Sequence, residues 1–134
     1  MIVGVDPGGR RVGVALADEE TLFARPLEVI DAAVTDPVRR IGEIVVDHGA
    51  SLVVVGRPVS LDGTDGPAVR TAASFVEALR AGLDVEVVEH DERLTTVIAE
   101  RSLRASGAGR DARKRLRDAV AAQVMLQSFL DGRR

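Results

Sequence analysis

Met1-Ile2-Val3-Gly4-Val5-Asp6-Pro7-Gly8-Gly9-Arg10-Arg11-Val12-Gly13-Val14-Ala15-Leu16-Ala17-Asp18 opens the chain. An apolar run ends at Asp6, a Pro-Gly-Gly turn reverses direction, and a second run alternates Val12, Val14 and Leu16 with small or polar neighbours. The segment therefore reads as a β-hairpin with an acid at its turn. A lone Asp before Pro-Gly is ordinarily a turn former that bonds to its own backbone. Only further carboxylates, brought to the same place by the fold, would give Asp6 another role.

Outward from the hairpin, a third strand is predicted near Leu22 to Val29, held to an edge or a bulge by Pro26, which has no N–H to give to a ladder. Asp36-Pro37 reads as an N-cap followed by proline at the first helical position, and the helix runs to about His48 with Gly49 as its stop. His48 places a favourable charge at that helix end. Leu52-Val53-Val54-Val55 lacks polar alternation, which predicts a central, parallel strand covered by helices on both faces. A glycine-rich loop, 56–66, follows at its carboxyl end, where ligand sites of open α/β sheets lie. A helix over Pro67 to Ala81 and a buried strand over Val85 to Val88 come next. A short helix carrying Val97 to Ser102, a basic loop from Gly107 to Arg117 and a final helix to about Leu130 complete the chain. Asp118, Ala122, Met125 and Phe129 share one face of that last helix, so Asp118 points inward near its start.

The size of the chain, 134 residues, predicts a single domain, 1–134, with an aliphatic core. Hydrophobic residues make up 46% and charged residues 29%, which excludes global disorder. With three Phe and neither Tyr nor Trp, the surface lacks the aromatic platforms on which single-stranded bases stack. Cysteine is absent, which removes disulfides and thiolate metal sites. No signal peptide or membrane span is legible at the N-terminus, and a cytoplasmic location is expected. The net charge of -3 does not point to a polyanion. Its distribution does, because Arg101, Arg104, Arg110, Arg113, Lys114, Arg115 and Arg117 stand against Asp111 alone. Such a run is either a solvated face or a phosphate-binding patch.

Asp6, the pair Asp91-Glu92 after a strand, and Asp118 at the start of a helix are placed to converge at one end of the sheet. Carboxylates so gathered repel one another, and a hard divalent cation with oxygen ligands, Mg²⁺ or Mn²⁺, relieves the repulsion. Such ions activate water for in-line attack on a phosphodiester. The basic run directly before Asp118 then gains a reason, holding a polynucleotide backbone.

These residues carry a resemblance that spans nearly the whole chain. The motifs are Asp6-Pro7-Gly8-Gly9-Arg10-Arg11-Val12-Gly13-Val14-Ala15 with Asp18, Val55-Gly56-Arg57-Pro58 with Asp62-Gly63-Thr64, Asp91-Glu92-Arg93-Leu94-Thr95-Thr96 with Ala99-Glu100, and Asp118-Ala119 with Ala121-Ala122 and Leu126-Gln127. In this order they resemble the YqgF family, bacterial Holliday junction resolvase-like proteins also described as pre-16S rRNA nucleases. The resemblance implies a ribonuclease H-like α/β fold, a five-stranded mixed sheet of three antiparallel and two parallel strands flanked by about four helices. It implies that Asp6, Glu92 and Asp118 are the catalytic, metal-binding acids, with Asp91 a close competitor for the second place. Arg11 and Arg93 are family positions that bind phosphate or brace the acids by ion pairing. With the run Arg110, Arg113, Lys114, Arg115 and Arg117 they form the expected nucleic-acid contacts. His90 reads as a strand-end residue, with proton transfer the lesser role.

The implied activity is a metal-dependent nuclease acting on structured RNA, at the 5′ end of pre-16S rRNA, with branched DNA as the alternative substrate. No membrane partner is expected, and either a monomer or a homodimer is allowed. Two other classes compete. Actin-like ATPases also open on an Asp-glycine hairpin but close two domains over a nucleotide, for which this chain has no room. A non-catalytic RNA-binding assembly factor would have no need of three acids. Pro7, Arg10 and Arg57 depart from the family pattern, Arg57 standing where an apolar residue is usual, and none of them removes an expected ligand.

Overall fold

The computed structural model of the chain describes residues 1–8, 10–57, 67–91 and 110–132. The opening stretch forms the predicted hairpin, β1 (Ile2–Pro7) and β2 (Arg11–Ala17), in antiparallel register with Asp6 opposite Gly13. β3 (Ala24–Asp31) pairs with β2 and lies at the sheet edge. The register shifts between Val14 and Ala15, opposite Glu28 and Pro26. Pro26 thus takes both of the positions open to it, edge and bulge, because its missing N–H leaves a rung of the ladder unmade.

α1 (Pro37–His48) begins as expected, with the Asp36 side chain accepting from the Val38 N–H. It ends on Gly49 at φ 62° and ψ 39°, the left-handed cap that a side chain would strain. β4 (Leu52–Arg57) then runs parallel to both of its neighbours, β1 and β5 (Glu86–Asp91), giving the order β3-β2-β1-β4-β5. Its Val53, Val54 and Val55 are fully buried, as an uninterrupted apolar run requires. β5 departs from expectation. It is the second edge, and only Val87 is buried along it, because among the described residues no strand pairs with its outer side.

The core lies in two layers. Val3, Val5, Val12, Val14, Val53 and Val55 point to the side of α1 and α2 (Pro67–Gly82), where Ile41, Ile44, Val76 and Leu79 meet them. Ile2, Ala15, Ala17 and Val54 face the other way, against Ala122, Met125, Leu126 and Leu130 of α3 (Arg110–Asp131). The period of two along each strand distributes its residues between these layers. Three helices are described against the four expected, and the segment predicted to carry the other, 97–102, lies outside the described residues. The segment 110–117, expected as loop, forms the first turns of α3. Arg, Lys, Ala and Leu are strong helix formers, and their charge does not prevent a helix.

Candidate active site at the carboxyl edge of the sheet

Asp6 stands where β1 reaches the carboxyl edge, half-buried, with Gly13 as its partner on β2. Its parity matches Ile2 and opposes Val3 and Val5, so its side chain shares the face covered by α3. Gly13 lies on the same face, and α3 comes down directly upon it. A Cβ on Gly13 would overlap the Asp118 carbonyl and lie 3.0 Å from the Ala119 nitrogen. Glycine in a strand interior often marks such a close backbone approach. The result is a stack of Asp118 on Gly13 beside Asp6, with two carboxylates at one corner of the molecule.

Arg11, next on the α3 face of β2, reaches the second carboxylate, with its Nε 3.7 Å from Asp118 Oδ2 and side chains 37% and 30% exposed. The contact is longer than a hydrogen bond and half in water, so its role is to orient and neutralise more than to stabilise. Arg10 is engaged elsewhere. Its Nε and Nη2 each lie 3.2 Å from an Asp31 oxygen at the end of β3, a two-pronged contact. That guanidinium, with the Ala33 N–H, holds the Asp31 carboxyl below its ordinary value. The two arginines of the turn thus divide between a structural clamp and the acid corner.

At the far side of the same edge, Asp91 ends β5 opposite Arg57 of β4. Its parity is that of Val87, which packs on the α1 and α2 side, so Asp91 stands on the other face of the sheet from Asp6. His90 has the opposite parity and turns toward α3. Its Nε2 lies 3.1 Å from Ser128 Oγ, and its ring meets Phe129 edge-on at 5.7 Å between centroids. It ties the edge strand to the helix. Glu92 and Arg93 lie outside the described residues, as do the side chains of Arg110, Arg113, Lys114, Arg115 and Arg117, whose backbone belongs to the first turns of α3.

Asp18 and Gln127, both from the motifs, have structural partners. Asp18 Oδ1 accepts from the Glu20 N–H at 2.7 Å in the turn after β2. Gln127 accepts from the Ala24 N–H at 2.9 Å and donates to the Leu22 carbonyl at 3.0 Å, and Gln123 donates to the Ala24 carbonyl at 3.1 Å. These amides lash α3 to the start of β3. A cleft lined by Ile2, Glu19, Leu22, Ser51, Leu52 and Glu86 opens at the opposite end of the sheet and contains none of the expected acids. There Glu19 receives the amino terminus at 3.3 Å.

Asp6 and Asp118 supply oxygen donors only, which suits a hard cation. Among the described residues no three potential ligands come together. The two acids stand at the carboxyl edge, the place in an open α/β sheet where ligands bind.

The chain matches the RuvX family, described as Holliday junction resolvase, over residues 1–132. It belongs to that family. A relative from Chloroflexus aggregans is 42% identical over 99% of this chain and 94% of its own length, and one from Bacillus mycoides is 41% identical over 98% of each; both carry the name "Putative pre-16S rRNA nuclease". Among solved structures, the fowlpox virus Holliday junction resolvase superposes with a TM-score of 0.57 at 9% identity over 98% of both chains. Thermus thermophilus RuvC in complex with Holliday junction substrate gives 0.51 at 23% identity, covering 98% of this chain and 94% of that one. The fold is therefore the ribonuclease H-like fold of the RuvC resolvases, in which the expected three antiparallel and two parallel strands recur.

Proposed function

We propose that this RuvX-family chain is a divalent-metal-dependent nuclease that trims the 5′ end of precursor 16S rRNA. The observation that carries the reading is the seating of Asp118 on Gly13 beside Asp6, two carboxylates on one face at the carboxyl edge. Full-length relatives named for that substrate support the choice of RNA.

Asp6 and Asp118 would hold the ion together with Glu92. Asp91 is set aside as principal ligand because it stands on the opposite face. When bound, Mg²⁺ or Mn²⁺ lowers the pKa of a water and stabilises the leaving oxygen of the phosphodiester. The chain's own residues do the rest. Arg11 keeps the Asp118 carboxylate directed toward the corner and offsets the repulsion between the two acids in the free protein. The run Arg110, Arg113, Lys114, Arg115 and Arg117, on the turns of α3 that lead into Asp118, grips the phosphate backbone. The lack of aromatic platforms suits backbone and shape recognition over base reading.

Purified protein with Mn²⁺ or Mg²⁺ should cleave a precursor-like RNA carrying the 5′ extension and leave four-way DNA junctions intact. Preference for the junction would transfer the substrate to branched DNA, and failure to cleave either would end the nuclease reading. Asp6→Asn should lose cleavage to the detection limit with an unchanged far-ultraviolet circular dichroism spectrum. Retained activity would remove Asp6 from the site.

A further inference from the structure

We propose that Arg57 is a phosphate-contacting residue that positions the nucleic-acid strand across the carboxyl edge, beside the acid corner. The inference rests on the nuclease reading above and adds to it a contact outside the acids and outside the basic run of α3.

The register locates Arg57. Val5 pairs with Val55, so Asp6 lies beside Gly56, and Arg57 is one residue further out on the strand between β1 and β5. From strand spacing and rise, the Cα atoms of Asp6 and Arg57 are separated by roughly 6 Å. Arg57 has the parity of Val53 and Val55, which pack on the α1 and α2 side, whereas Asp6 faces α3. A strand laid over this edge would meet the acids on one side and the guanidinium on the other. Arg57 therefore acts as a positioning residue for a phosphate flanking the cleaved one, and takes no part in the chemistry.

Its engagement differs from that of the other arginines at this edge. Arg10 is forked on Asp31, and Arg11 is paired with Asp118. Arg57 is exposed and forms no hydrogen bond or ion pair among the described residues, although a carboxylate, Asp91, is its register partner. Pairing with a neighbour would neutralise the guanidinium. Left in water at the mouth of an acidic site, it presents a planar fork that matches two phosphate oxygens. It also supplies positive charge beside carboxylates that would otherwise repel an approaching polyanion.

The test measures binding of a fluorophore-labelled RNA stem-loop with a 5′ single-stranded extension across a salt series, in EDTA and in parallel in calcium buffer. A labelled four-way DNA junction is the second probe. Arg57→Gln should weaken binding several-fold and lower the slope of log affinity against log salt by about 0.7–0.9, the release of one counterion's worth of contact. Arg57→Met, which keeps the aliphatic stem, should do the same, and Arg57→Lys should retain the slope. Arg25→Gln removes an equal charge at the other end of the sheet, beside Leu16, and should leave the slope unchanged. An unaltered slope in both neutral variants of Arg57, or an equal loss in Arg25→Gln, overturns the inference while the nuclease reading stands. Should the unsubstituted chain bind neither probe in either buffer, the nuclease reading falls and Arg57 falls with it.

Discussion

Gly13 shows how one residue serves both the core and the candidate site. Its missing side chain lets the backbone of α3 approach β2 closely enough to deliver Asp118 beside Asp6, and a methyl group there would overlap the Asp118 carbonyl. Gly13→Ala must therefore push the start of α3 off the sheet. We expect a loss of ~2–3 kcal/mol or more in chemical denaturation, the cost of overpacking at a rigid contact. Nuclease activity per folded molecule should drop as well, because relief of the clash carries the Asp118 carboxylate away. Gly49→Ala is the comparison. At φ 62° with nothing within 4 Å of the new methyl, it should cost ~1–2 kcal/mol through backbone conformation alone and spare activity. Equal effects of the two substitutions on activity would show that the Gly13 contact has no special bearing on the acids.

Between elements, the join of α3 to β3 depends on two glutamines. Gln127 meets both the Ala24 N–H and the Leu22 carbonyl, and Gln123 meets the Ala24 carbonyl. β3 is an edge strand with a bulge, so these side chains replace rungs that no other strand among the described residues provides. Gln127→Leu would leave one donor and one acceptor of a part-buried backbone unmatched, a loss of ~2 kcal/mol. Gln123→Leu, with one bond to lose, should cost ~1 kcal/mol. Urea titration measures both, and amide exchange should quicken at Ala24 in the first variant only. The other edge is secured from outside the ladder too, where the Arg80 guanidinium of α2 donates to the Val87 carbonyl at 3.1 Å.

For the molecule as a whole, a resident cation would link folding to metal. An ion bound only by the folded chain stabilises it by ~2.7 kcal/mol at one hundred times its dissociation constant. Mn²⁺ should therefore raise the melting temperature of the unsubstituted protein, EDTA should reverse the rise, and Asp6→Asn should blunt it. The same variant should melt higher than the parent without metal, since it removes one partner in the repulsion between acids. A metal response identical in Asp6→Asn and the parent would place the ion elsewhere on the chain.

How far each feature could be read from the residues depends on the range of the forces that specify it. The hairpin, the Asp36 and Gly49 caps, the buried central strand and the edge position of Pro26 all follow from patterns within one element, a period of two, an orphan N–H to cap or a proline without a donor. The inward turn of Asp118 is legible in the same way, from helical spacing. Tertiary packing settles what lies between elements. The second parallel strand reads as buried from Val85, Val87 and Val88, yet β5 is an edge, because exposure depends on whether a further strand follows. The charged run before Asp118 looks like loop because charge suggests solvent, yet it winds into α3, where favourable helix propensity meets an anchored helix body. The face of Asp91 and the pairing of Arg11 with Asp118 were beyond local pattern. Each depends on which strand or helix the neighbour is, and only the packed sheet supplies that neighbour. Asp6 and Asp118 can both be nominated from the sequence, but the contact that sets one beside the other, α3 resting on Gly13, belongs to the packing of helix on sheet.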